Sequence, residues 1–86
     1  MTKPYQILIS KFAQKQLDKL PDNIADRLIE AIYTLSQNPR PMWHKKLKGR
    51  EGYRIRVGDY RVIYEILDDQ LLISVVAIGH RKDIYN

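Results

Sequence analysis

Arg54, Arg56 and Arg61 stand close together in the run Gly52-Tyr53-Arg54-Ile55-Arg56-Val57-Gly58-Asp59-Tyr60-Arg61. Guanidinium is planar, keeps its charge, and matches two phosphate oxygens with two parallel N–H donors. These arginines end a longer basic zone. Between Arg40 and Arg61 lie eight basic residues, opposed only by Glu51 and Asp59, so this stretch carries +6 in a chain of net charge +5. A concentrated cationic zone favours polyanions, either nucleic acid or an acidic protein. Lys45, Lys46, Lys48 and Arg50 read as accessory contacts to a nucleic-acid backbone. Charge by itself leaves a solvated basic loop equally open.

Register sharpens the case. Tyr53–Val57 and Tyr60–Ile66 both alternate, and Gly58-Asp59 between them reads as a two-residue hairpin turn. Val57 then opposes Tyr60, Arg56 opposes Arg61, and Ile55 opposes Val62. Tyr53, Ile55, Val57, Tyr60, Val62, Tyr64 and Ile66 share an apolar face. The three arginines share the other. Like charges facing each other across two strands are destabilising, where a favourable pair contributes roughly 0.2–1 kcal/mol. An anion held between them explains the arrangement better than folding alone. The alternative is that the arginines lie flat and pair with Glu51, Glu65 or Asp59. A one-residue slip would turn them against the core.

The tail adds candidates. His80 has the parity of Val76 and Ile78, which is expected to place it on the arginine face. Its ordinary pKa near neutrality suits proton transfer. Arg81 and Tyr85 follow where the chain leaves the strand. In the basic loop, Trp43 is expected to anchor the segment to the core or to a protein partner rather than to read nucleic acid, and His44 is left unassigned.

The elements that must position these residues are short. Tyr5–Ile9 reads as a strand, and Ser10 as the cap of a helix reaching about Leu20. Pro21 ends that helix, and a second runs from about Asp22 to Gln37 with Ile24, Leu28, Ala31, Ile32 and Leu35 as its apolar stripe. Arg40–Gly52 looks irregular. Asp68-Asp69 marks a turn, and Leu71–Gly79, apolar on both faces, reads as the central strand. The expected class is α+β: a small, mostly antiparallel sheet in the order β-α-α-β-β-β, with an N-terminal helical hairpin packed on one face. The opposite face is then free.

At 86 residues one small domain, 1–86, is expected. A hydrophobic fraction of 44% is too high for a disordered chain. Cysteine is absent, which excludes disulfides and thiolate metal sites and fits a reducing cytoplasm. The first residues lack an apolar signal core, and the Leu71–Ile78 run is too short to span a bilayer, so no membrane association is expected.

The two hairpin strands, followed by Val76-Ala77-Ile78-Gly79-His80-Arg81-Lys82-Asp83-Ile84-Tyr85, resemble the RelE branch of the RelE/ParE toxin superfamily. Lys46-Leu47-Lys48-Gly49 and Leu20-Pro21 also fit, and the likeness covers nearly the whole chain. It implies the toxin of a type II toxin–antitoxin pair that cuts mRNA in the A site of the 70S ribosome. Neither metal nor cofactor takes part: the 2′-hydroxyl attacks the adjacent phosphate. By the same resemblance, Arg54 and Arg56 sit where another branch carries lysines, and Arg61 matches a phosphate-binding arginine. Arg81 matches one near the leaving group, and Tyr85 a tail tyrosine that stacks on or orients substrate. Arginine at both lysine positions is a departure, because it does not deprotonate in proteins. Proton transfer is then expected from His80 first and Tyr85 second. The partners implied are a cognate antitoxin, mRNA and the ribosome, with operator DNA bound only through the antitoxin. Two alternatives stay open: a ParE-like gyrase poison without nuclease activity, and an inactive nucleic-acid-binding relative.

Overall fold

The structure, a computed structural model, describes residues 3–80. Strand β1 (Gln6–Ile9) leads into helix α1 (Lys11–Asp18) and helix α2 (Asp22–Gln37). A two-residue strand β2 (Lys45–Lys46) follows, then β3 (Tyr53–Val57), β4 (Tyr60–Leu67), a 3-10 turn at Asp68–Gln70 and β5 (Leu72–His80). The sheet order is β1-β5-β4-β3-β2. Only β1 and β5 run parallel; the other pairs are antiparallel. The α+β expectation holds, with two differences. β2 adds a fifth strand inside the stretch expected to be irregular, being too short to show alternation. The middle strand is β4, and β5 lies between it and β1.

The helices form where the sequence places them. Ser10 Oγ accepts the Ala13 N–H at 3.1 Å, capping α1. α2 begins directly after Pro21 and carries its stripe, with Leu28, Ile32 and Leu35 buried. Together with Ala13 and Leu17 of α1, they pack on Ile55, Val62, Tyr64, Ile73, Val75 and Ile78 of the sheet. Both helices therefore cover one face, the apolar one.

Two glycines set the hairpin's geometry. Gly58 has φ 60° while Asp59 does not enter the positive region, the pattern of a II′ turn, which matches the twist of the strands. At Gly52, φ is 119°, and a Cβ would sit 3.1 Å from the Tyr64 carbonyl oxygen and 3.2 Å from Leu47. Only glycine fits that entry to β3.

β5 carries a bulge. Ile63 pairs with Ala77 but Tyr64 pairs with Val75, leaving Val76 as an extra residue. Past Val75, β1 no longer flanks β5, and α1 supplies the lost hydrogen bonds. Ser10 Oγ donates to the Val76 carbonyl at 3.3 Å, and the Ile78 N–H donates to Gln16 Oε1 at 2.6 Å.

The fully buried Tyr64 donates its hydroxyl to the Pro39 carbonyl at 2.8 Å. Burial pushes this phenol up to about 12. A folded-state pKa above the unfolded value near 10 means the contribution is complete below pH 10 and is lost as pH rises through about 12. Tyr64→Phe is expected to cost about 1–3 kcal/mol at neutral pH and to flatten the loss of stability between pH 10 and 12. Denaturant midpoints across that range check both.

Candidate nucleic-acid interface

The β3–β4 register is the one expected from the sequence: Tyr53 opposes Tyr64, Arg54 opposes Ile63, Ile55 opposes Val62, Arg56 opposes Arg61, and Val57 opposes Tyr60. Arg54, Arg56 and Arg61 thus share the face away from the helices. Lys45 opposes Arg54 across β2 and joins them. Four cations from three adjacent strands form one band.

That face is not bare. Ile63 is 3% exposed, Arg54 and Arg61 are half-buried, and only Arg56 is well exposed. On the β5 side, Gly79 opposes Arg61 and Ala77 opposes Ile63. Burial, then the fields of Arg61 and Arg56, push the Arg54 pKa down. The three charges therefore lie close enough to repel one another. Arg54 Nε is buried and, among the described residues, has no hydrogen-bond partner. Among these residues, Arg54 and Arg56 form no ion pair with Glu51, Glu65 or Asp59. Asp68 is a paired carboxylate on another part of the surface. It meets Arg40 at 2.9 Å and accepts the Tyr5 hydroxyl at 2.6 Å, which holds its pKa below the usual range.

Three site expectations change. His80 opposes Tyr60, on the helix side of the sheet, and its ring meets Tyr60 edge-on at 5.4 Å. The cause is the Val76 bulge. Ile73 and Val75 face the core, so an unbroken strand would turn even-numbered residues outward; the extra residue reverses this, and Ile78 and His80 face inward. Lys46 opposes Tyr53 and lies over its ring at 5.7 Å, also turned from the arginine band. Trp43 does not anchor its loop in the core: it is 48% exposed. His44 does that work, with its ring 5.5 Å from Tyr53 and Nδ1 donating to the Pro41 carbonyl at 2.6 Å. Sequence reasoning passed over His44, whose signal was its parity with Lys46 beside an aromatic strand residue. Lys48 and Arg50 are exposed in the β2–β3 loop. Arg81 and Tyr85 lie outside the described residues.

A cleft of about 220 Å³ lies elsewhere, between α2 and the β3–β4 turn. Among the described residues Arg27 is its only cationic wall, and Asp59 lines the same space.

A helical pair over one face of a mixed sheet, with a cationic band on the other, defines a small α+β domain. The family model for the ParE toxin of type II toxin–antitoxin systems matches residues 7–85. The chain belongs to the RelE/ParE toxin superfamily, on its RelE-like branch. The putative toxin RelE1 of Methanocaldococcus jannaschii is 36% identical, over 94% of each chain. The toxin–antitoxin complex RelBE2 of Mycobacterium tuberculosis contains a chain of the same fold, with a TM-score of 0.84, 27% identity, and coverage of 94% of this chain and 95% of that one. The mRNA interferase toxin RelE of Escherichia coli is 26% identical, over 81% of this chain and 76% of its own.

Proposed function

We propose that this toxin is an endoribonuclease that cuts mRNA on the 70S ribosome, and that the arginine band holds the scissile phosphate. The observation that carries the reading is the Arg56–Arg61 cross-strand pair beside Arg54, whose buried Nε lacks a partner. Buried donors are almost always satisfied, so one without a partner among the described residues, close to like charges, marks a place for an acceptor. A phosphate supplies acceptor oxygens and negative charge together. A mRNA interferase among the relatives supports the same substrate.

In the reaction, the 2′-oxygen attacks the adjacent phosphorus. The P–O2′ bond forms and the P–O5′ bond breaks, leaving a 2′,3′-cyclic phosphate and a 5′-hydroxyl. The 2′ proton leaves to a base, and the 5′-oxygen gains one. Arg54, Arg56 and Arg61 stabilise the extra charge on the pentavalent phosphorus, a preorganised electrostatic role. None of them serves as the base. With His80 on the helix side, Tyr85 becomes the leading candidate for proton transfer, and Arg81 is assigned to the leaving oxygen. Lys45, Lys48 and Arg50 steer the RNA backbone. Neither metal nor cofactor enters this scheme.

The partners proposed are a cognate antitoxin, as in the RelBE2 complex, together with mRNA and ribosome; operator DNA is reached through the antitoxin. Among the described residues no helix is long and apolar enough to cross a membrane, and a ribosomal substrate places the activity in the cytoplasm. Controlled expression followed by mapping of mRNA ends tests the reading. Breaks within ribosome-bound codons, ending in 5′-hydroxyls, are expected. Intact messages during growth arrest, or chromosomal double-strand breaks in their place, would overturn it.

A further inference from the structure

Trp43 is the chain's only tryptophan, and it stands half-exposed beside the fully exposed Met42. An exposed indole by itself says little, since Phe12 and Tyr33 are more exposed still; what sets Trp43 apart is its charged surroundings. The turn that holds it runs directly into Lys45 and Lys46, and His44 is turned against Tyr53 on the helix side. Lys45, two residues after Trp43, opposes Arg54 and joins the arginine band, so Trp43 lies next to the band's β2 end. An indole beside a row of cations is the arrangement that binds single-stranded nucleic acid, with bases on the ring and phosphates on the charges.

We propose that Trp43 is a base-stacking platform for the RNA strand, holding a nucleotide next to the one whose phosphate lies between Arg56 and Arg61. The inference rests on the RNA reading above. It adds a contact outside the reacting atoms, one that fixes the strand's path toward β2. Stacking of this kind tolerates any base, so Trp43 contributes affinity and positioning and not codon choice.

Being the sole tryptophan makes Trp43 its own reporter. A single-stranded RNA oligonucleotide with 2′-O-methyl riboses, which cannot be cut, is titrated into the full chain at low salt. Tryptophan emission and the anisotropy of a labelled oligonucleotide are followed together. Saturable quenching that coincides with binding is expected. Trp43→Ala is expected to weaken binding roughly five- to a hundredfold, the range of one lost stack, and Trp43→Phe to retain most of the affinity. Thermal unfolding of both variants should match the parent, since the side chain contributes little to the core. RNA binding with unchanged emission, and equal affinity in Trp43→Ala, would overturn the Trp43 assignment while leaving the nuclease reading standing. Loss of antitoxin affinity in Trp43→Ala with RNA affinity kept would also overturn it, assigning the ring to a protein interface. No RNA binding by the parent chain would overturn the Trp43 assignment, while the nuclease reading falls only if ribosome-bound messages stay intact.

Discussion

Arg61→Ala is expected to slow cleavage of ribosome-bound mRNA about 10²–10³-fold, the cost of removing one preorganised donor to a developing oxyanion. The domain should stay folded. Arg61 faces Arg56 directly and lies near Arg54, so it stands among like charges. Its removal is expected to cost far less stability than a core truncation does. This combination separates a site residue from a structural one: activity collapses while the unfolding midpoint hardly moves. Arg56 is more exposed than Arg54 or Arg61. Its replacement by lysine keeps the charge but loses the planar fork, so an intermediate loss is expected there. Single-turnover cleavage alongside thermal unfolding reads both quantities.

Leu28→Ala is expected to do the reverse. Leu28 is fully buried in the middle of the α2 stripe, within the cluster that holds Ile55, Val62 and Tyr64 against the helices. Truncating such a side chain costs about 2–5 kcal/mol, through lost burial and the cavity left behind. Small domains have about 5–15 kcal/mol in total, so this is a large share of what holds the sheet together. The melting temperature should fall by roughly 10 °C or more. The arginine band lies on the far side of β3 and β4, so cleavage per folded molecule should be preserved. Adding antitoxin should restore much of the lost stability, since a ligand of the native state shifts the unfolding equilibrium by mass action. A Leu28→Ala protein as stable as its parent would show that the helical layer is not what supports the hairpin.

Much of this molecule was legible in the sequence because two patterns were strong. Alternation on both sides of Gly58-Asp59 determined the hairpin register, and with it the grouping of Arg54, Arg56 and Arg61. The i, i+4, i+7 spacing of Leu28, Ile32 and Leu35 gave α2 its observed span. The misses have equally definite causes. Leu71–Gly79 is apolar on both faces, so nothing in the residue types announced that Val76 would be looped out of the ladder. That single extra residue moved His80 to the helix side. β2 is two residues long, and a strand of that length cannot display a period. In the loop preceding it, size alone favours the larger ring as the anchor. Yet His44, with a nitrogen to satisfy the Pro41 carbonyl, packs on Tyr53, and the indole remains outside. The hydrogen bond decided the outcome against size.

The reliance on arginine in place of lysine has a physical consequence for pH dependence. Arginine does not deprotonate in proteins, so under the proposed reading the guanidinium contribution to cleavage is expected to be independent of pH. Any pH dependence of cleavage then reports the proton-transfer groups alone.

Chemical rescue tests the central claim most directly. Ribosome-bound mRNA is offered to Arg61→Ala in single-turnover conditions, with and without guanidinium ion at a low, non-denaturing concentration, and Leu28→Ala serves as the control. If Arg61 holds the scissile phosphate, added guanidinium should partly restore cleavage by Arg61→Ala and do nothing for the control. Cleavage by Arg61→Ala at the parent rate, with no response to guanidinium, would contradict it.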